Sequence, residues 1–274
     1  MNETLANAIV MLKAEFVKRY RGVSHIHEII PVSSESLCID ERELKMLHKF
    51  TESNSIYTGS YEMDILGATC KVYEGDVNNY WLDSIKHDTS YAPFYPIWIL
   101  SAYALALESK NLGAKQVVDI GSGDGRIAYC AKVAGLQSYG IEIDENLVGL
   151  ENKISSSTGI DFQPMAADAT QFDFTSLGLS QPLFFISGLP EVGEMLANSV
   201  IPRIMSMPNL KVNPLFVLTG SHVMRKDSRD KSKWGWGHVI DHFNLDVVKT
   251  VTLPTYWTLD QPVDTPFIFT RSTV

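Results

Sequence analysis

Three acidic residues stand where short apolar runs end. Asp119 lies in Val117-Val118-Asp119-Ile120, Glu142 in Gly140-Ile141-Glu142-Ile143-Asp144, and Asp168 in Ala166-Ala167-Asp168-Ala169-Thr170. Directly after the first run comes Gly121-Ser122-Gly123-Asp124-Gly125-Arg126. Glycine permits backbone angles closed to other residues and lets a ligand touch the main chain. A helix starting near Arg126 would add free N–H groups at its N-terminus. The G-x-G-x-G spacing differs from the G-x-G-x-x-G that cradles a pyrophosphate. An acid at the mouth of such a loop suits a cationic ammonium better than phosphates. Glu142 follows Gly121 by 21 residues, the offset at which a carboxylate can accept both hydroxyls of a ribose. Asp144 competes with it for that role. Asp168 can accept from an adenine amino group or cap a local turn.

These residues need strand ends and loops to hold them, and the chain supplies both. From residue 97 onward, short apolar runs alternate with helical stretches. Strands are expected at 116–120, 138–143, 161–165, 182–187, 214–219, 246–252 and 266–270, and a helix at 97–108. This alternation predicts a mostly parallel sheet with helices on both faces. The last two strands lie too close for a crossover helix, so the final one should return antiparallel. Upstream, Leu5, Ile9, Leu12, Phe16 and Tyr20 recur at helical spacing and predict a core-packed helix. Asp40 is positioned to cap a second helix running to Phe50, with Leu44, Met46 and Leu47 on its apolar side. Residues 56–75 read as a hairpin. The prolines in Tyr91-Ala92-Pro93-Phe94-Tyr95-Pro96 mark a break between an N-terminal, mainly helical extension (1–90) and the α/β unit (91–274).

DIGSGDGR, GIEIDENLV and AADATQFDF, in this order and spacing, resemble class I S-adenosylmethionine-dependent methyltransferases over residues 91–274. The resemblance implies an α/β fold: a seven-stranded, mostly parallel, doubly wound Rossmann-like sheet in the order 3-2-1-4-5-7-6, strand 7 antiparallel. It implies that Asp119, Gly121, Ser122, Gly123 and Gly125 hold the methionine end of S-adenosylmethionine. Glu142 and Ile143 would then meet the ribose, and Asp168 and Ala169 the adenine. GSGDGR preceded by Tyr91-Ala92-Pro93 also resembles SET-independent protein lysine methyltransferases.

Methyl transfer would take place beyond the fourth strand, at Ser187-Gly188-Leu189-Pro190-Glu191. Tyr91, Pro190 and Glu191 are the catalytic candidates there. Enzymes that methylate base or glutamine amino groups often carry (Asn/Asp)-Pro-Pro-(Tyr/Phe) at this point, and this chain does not. Glu191 and Glu194 can orient an amine or sit solvated in the first turn of a helix. The 222–238 segment, rich in bases and holding Trp234 and Trp236, reads either as a lid over the acceptor or as a static loop with its tryptophans tucked into the core. His222, His238 and His242 lack metal-ligand spacing.

Composition narrows the acceptor. The 274 residues are 45% hydrophobic and 20% charged, with 18 Gly and 12 Pro, which excludes disordered and collagen-like chains. Net charge is −9, with 14 acids and 9 bases in residues 1–90 and 18 and 14 in the rest. Neither part is a basic module, so nucleic acid is disfavoured as a partner and a protein or small molecule is expected. Cys38, Cys70 and Cys130 form no metal-ligand or disulfide pattern. No membrane span and no signal peptide is read, so a soluble cytoplasmic protein is expected. Residues 1–90 hold none of the cofactor motifs. They are expected to cover the acceptor side, so that a chain starting near Tyr91, provided it stays folded, would keep cofactor binding and lose methyl transfer. An NAD-dependent oxidoreductase and a non-catalytic cofactor-binding protein are the rival readings.

Overall fold

The computed structural model describes residues 2–24, 26–78, 94, 96–187, 190–207, 214–219, 236–259 and 264–273. The chain opens with α1 (Asn2–Arg19), β1 (Ile26–Pro31), α2 (Glu41–Ser53), β2 (Tyr57–Ile65) and β3 (Ala68–Gly75). It continues with α3 (Ile99–Asn111), β4 (Gln116–Ile120), α4 (Arg126–Val133), β5 (Gln137–Glu142), α5 (Glu145–Thr158) and β6 (Pro164–Ala166). Then come β7 (Pro182–Ile186), α6 (Pro190–Ser206), β8 (Leu215–Thr219), α7 (Trp236–His242), β9 (Leu245–Leu253) and β10 (Thr265–Ser272).

The large sheet runs β6-β5-β4-β7-β8-β10-β9. Numbered by its own seven strands, this is 3-2-1-4-5-7-6. The first five strands pair in parallel, and β10 lies antiparallel to both β8 and β9. The apolar runs in β4, β7 and β8 are buried throughout, as a parallel sheet covered on both faces requires. Alternation divides their side chains between two clusters. Val117, Leu183, Phe185, Leu215 and Val217 face α3, α4, α5 and the N-terminal segment. Val118, Ile120, Phe184, Ile186, Phe216 and Leu218 face α6 and α7.

One expected strand moves. Instead of 161–165, the pairing residues are 164–166. Phe162 turns into the core, edge-on to Tyr129 with ring centroids 6.0 Å apart. Gln163 has a φ of 52°, a left-handed angle that holds off the extended strand until Pro164.

The N-terminal segment has one strand that the sequence did not suggest. β1 pairs with β3, and β3 with β2, in a three-stranded antiparallel sheet ordered β1-β3-β2. The 56–75 hairpin is present and turns at Leu66 and Gly67, both with positive φ (53° and 79°), the two-residue geometry that matches strand twist. Asp40 caps α2, its carboxylate accepting from the amides of Arg42 and Glu43. Leu5, Ile9, Leu12 and Phe16 of α1 are buried as expected.

This segment shares a core with the α/β unit. Phe16, Ile29, Leu47 and Phe50 belong to the same core as Ile99, Leu105, Tyr129 and Ile154. The Phe50 and Tyr129 rings lie 4.9 Å apart, and the Tyr129 hydroxyl donates to the Met46 carbonyl at 2.8 Å. Lys13 and Asp264, 251 residues apart, form a buried ion pair of 2.7 Å. Among the described residues, no helix is long and apolar enough to cross a membrane.

Candidate functional site

β4 ends at Ile120, and the chain turns through three left-handed glycines, Gly121, Gly123 and Gly125, with φ of 75°, 63° and 77°. Two of them have no space for anything else. A Cβ on Gly123 would stand 2.6 Å from the Phe94 ring, and one on Gly125 2.4 Å from Phe162. The amides of Gly121 and Ser122 both donate to the Ile141 carbonyl, at 2.9 and 3.2 Å, tying the loop to β5. Gly125 is the N-cap of α4.

Asp119 sits beneath this loop at 1% exposure. Its Oδ1 accepts from the Ser187 hydroxyl at 3.2 Å, which joins the ends of β4 and β7. Its Oδ2 is buried with no hydrogen-bond partner among the described residues. Burial pushes its pKa up to about 8, reinforced by the charges of Glu142 and Asp124 and opposed by the Ser187 hydrogen bond and the Ala128 amide, which lies near but forms no well-aligned hydrogen bond. A buried carboxyl with a spare oxygen costs free energy unless something cationic meets it.

Glu142, at the end of β5, reaches across to the loop. Its Oε2 accepts from the Gly123 amide at 2.8 Å, and its Oε1 from the Ile143 and Asp144 amides at 2.8 and 3.0 Å. Burial raises its pKa, and these three amides oppose the rise. Asp144, the competing acid, is committed elsewhere: its Oδ1 caps α5 through the amides of Asn146 and Leu147. Asp168 follows β6 and is half-buried. Its Oδ1 accepts from both the amide and the hydroxyl of Thr170, at 2.8 and 2.7 Å, which is the turn-capping role. Ala169 is buried beside it, and the Ala167 amide donates to the Glu142 carbonyl at 2.8 Å. Since β4, β5 and β6 are neighbours, Asp119, Glu142 and Asp168 come to adjacent strand ends.

Several polar residues here escaped the sequence reading. Asp124 and Arg126, inside the glycine motif, form a buried ion pair that also engages Glu28, Asn54 and Tyr57 from the N-terminal segment. Nothing local marks Glu28, which lies 98 residues from Arg126. Glu151 of α5 is fully buried, and a Cβ on Gly125 or Gly140 would lie 2.8 or 3.0 Å from its Oε1. Burial holds its pKa well above the usual carboxylate range. Its signal was available: it stands among Leu147, Leu150 and Ile154 on the apolar face of α5.

The acceptor side is described only in part. Tyr91, Gly188 and Leu189 lie outside the described residues, and so do residues 220–235, which include His222 and Trp234. Pro190 and Glu191 open α6, and their side chains are likewise outside the description. Glu194 Oε1 accepts from His238 Nδ1 at 2.9 Å, and the His238 and His242 rings stack 5.8 Å apart. Trp236 is buried, and its Nε1 donates to the Thr219 carbonyl at 2.8 Å. For this tryptophan the structure takes the core-packed reading.

No family model matches the chain, and no curated protein matches it in sequence. Solved structures similar to it include a putative S-adenosylmethionine-dependent methyltransferase from Streptococcus mutans (14% identity, 79% of this chain and 56% of that one, TM-score 0.48). A magnesium protoporphyrin IX methyltransferase from Synechocystis with bound S-adenosylmethionine is similar at 16% identity, over 64% of this chain and 78% of that one, TM-score 0.46. The tRNA (uracil-54, C5)-methyltransferase of Pyrococcus abyssi, in complex with S-adenosylhomocysteine, is similar at 12% identity and TM-score 0.45. That match covers 66% of this chain and 40% of the other. The acceptors of these proteins differ, one a porphyrin and one a tRNA, so the likenesses assign none to this chain.

Proposed function

We propose that this protein binds S-adenosylmethionine and transfers its methyl group to a protein or small-molecule acceptor, a lysine side chain being the leading candidate. One observation carries the reading: the spare, buried oxygen of Asp119 at the base of a left-handed glycine loop. It fits a cationic ammonium and has no use in an NAD-dependent oxidoreductase; a non-catalytic protein that kept the cofactor site would use it in the same way, and only methyl transfer separates that reading. Asp119 would accept from the methionine ammonium, while the backbone of Gly121, Ser122, Gly123 and Gly125 packs against the methionine end. Glu142, next to Ile143, would exchange part of its hold on loop amides for the ribose hydroxyls. Asp168 keeps Oδ2 for the adenine amino group while Oδ1 holds its turn, with Ala169 against the ring.

The sulfonium supplies both the methyl electrophile and its leaving group. The chain therefore has mainly to align the acceptor and keep water out. A lysine acceptor must also lose its proton before attack; Tyr91, Pro190 and Glu191 are the residues proposed to frame that step. The charge of −9 and the Ser187-Gly188-Leu189-Pro190 sequence favour a protein or small molecule over a base amine. The three unpaired cysteines suit the reducing cytoplasm.

Calorimetric titration with S-adenosylhomocysteine and with NAD, side by side, tests the cofactor. Binding of NAD alone overturns the proposal. Incubating cell extract with the protein and a radiolabelled methyl donor tests the acceptor. Label in protein or in a small molecule is expected, and label confined to nucleic acid rejects that part.

A further inference from the structure

We infer that Glu28 and Asn54, in the N-terminal segment, are positioning residues for the cofactor loop, acting on it through Arg126 and Asp124. The geometry stands by itself; its meaning for ligand affinity rests on the function proposed above.

Asp124 carries the only side chain at the loop tip, between two glycines in left-handed conformation. A Gly-x-Gly tip has little stiffness of its own, since glycine loses more freedom on ordering than any other residue. Its order comes from what holds its amides and from what holds Asp124. That carboxylate is fully buried. Its Oδ2 accepts from Asn54 Nδ2 at 2.8 Å and from the Arg126 guanidinium, whose Nε donates to Oδ1 at 2.8 Å.

The anchors are themselves held. Asn54 Oδ1 accepts from the Ile56 amide at 3.1 Å, which turns the amide nitrogen toward Asp124. Arg126 donates to Glu28 Oε1 at 2.6 Å, to the Ile97 carbonyl, and to the Tyr57 hydroxyl at 3.3 Å. Tyr57 donates to Glu28 Oε1 at 2.8 Å, and Glu28 Oε2 accepts from the Ile99 amide at 2.8 Å. The loop tip is thus gripped from two sides, by Glu142 through the Gly123 amide and by the N-terminal segment through Asp124. A loop ordered in advance loses less freedom on binding, so its ligand binds more tightly. By linkage, ligand at the loop must also stabilise the N-terminal grip.

The test compares Asn54→Ala with Ile30→Val, a core change in β1 outside the network. S-adenosylhomocysteine affinity is measured well below the melting temperature, and hydrogen exchange of amides 122–127 is followed without ligand. Asn54→Ala should weaken affinity by about tenfold and speed exchange at the loop. Ile30→Val should lower thermal stability and leave both readings unchanged. Parent-like affinity and parent-like loop exchange in Asn54→Ala overturn the inference. Equal losses in Ile30→Val do so too, because the effect would then be general destabilisation. If Asn54→Ala does not fold, Tyr57→Phe is read the same way, with the same outcomes. If the parent protein binds no S-adenosylhomocysteine, the proposed function fails, and the exchange measurement alone decides the positioning role.

Discussion

Asp119 and Asp124 stand five residues apart in one motif, both buried, and their surroundings are opposite. Asp124 is satisfied on both oxygens by Arg126 and Asn54. Asp119 has one hydrogen bond from Ser187, support from the Ala128 amide, and one buried oxygen without a well-formed hydrogen bond among the described residues. The first belongs to the scaffold: its partners come from the chain and are always present. The second is costly as it stands, and it becomes favourable only when a cation arrives. Stability is concentrated on one side of the loop and held in reserve for a ligand on the other. The two acids should therefore respond to substitution with different signs.

The largest effect is expected on the satisfied side. Arg126→Ala leaves Glu28 and Asp124 buried without their cation, which should cost about 3–5 kcal/mol of stability, read by denaturant unfolding. A chain starting near Tyr91 goes further, because it also loses the core residues of α1, β1 and α2; it should show no cooperative unfolding. If either protein unfolds like the parent, the scaffold role of Asp124 is wrong.

On the other side the signs part. Asp119→Asn keeps the shape and removes the titrating group. Affinity for S-adenosylmethionine should fall by roughly 1.5–3 kcal/mol, the range for a hydrogen bond to a charged group. The ligand-free variant should nevertheless be more stable than the parent above pH 8. Loss of both affinity and stability would make Asp119 a second Asp124.

The pH dependence sharpens this. With its pKa raised from 3.8 to about 8, native Asp119 holds a proton that the unfolded chain has released. Its contribution to stability is fully present below pH 3.8 and lost as pH rises through about 8. A cationic ligand prefers the carboxylate, so binding below pH 8 should release a proton. Affinity should climb from pH 6 to 8 by up to roughly tenfold per pH unit, and Asp119→Asn should flatten the climb. Calorimetry in buffers of different ionisation enthalpy counts the proton.

Asp168→Ala should have the smallest effect. It removes a half-buried turn cap, worth about 1 kcal/mol, and its adenine contact is expected to change affinity only a few-fold. A loss as large as that of Asp119→Asn would move the anchoring role toward the adenine end.

Much of this was open to reading in the residues. Strands β4, β7 and β8 follow from short apolar runs that are buried throughout. The G-x-G-x-G loop follows from three left-handed positions that favour glycine, and the Asp40 cap and 56–75 hairpin from local turn chemistry. β1 was hidden because His27 and Glu28 interrupt the apolar run of Ile26–Pro31, although all six residues are buried. The strand at 164–166 was displaced because Phe162 prefers the core to the ladder.

The sequence by itself determined the order of elements and the acids at strand ends, since both depend on neighbours within a few residues. Only the tertiary structure decided which acids are spoken for. Asp124 and Asp119 look alike in the motif, and the difference between them comes from Glu28, Asn54 and Tyr57, delivered from up to 98 residues away. Pairing of buried charges depends on distances in space of about 3 Å, and local sequence carries no record of which distant side chain will arrive there.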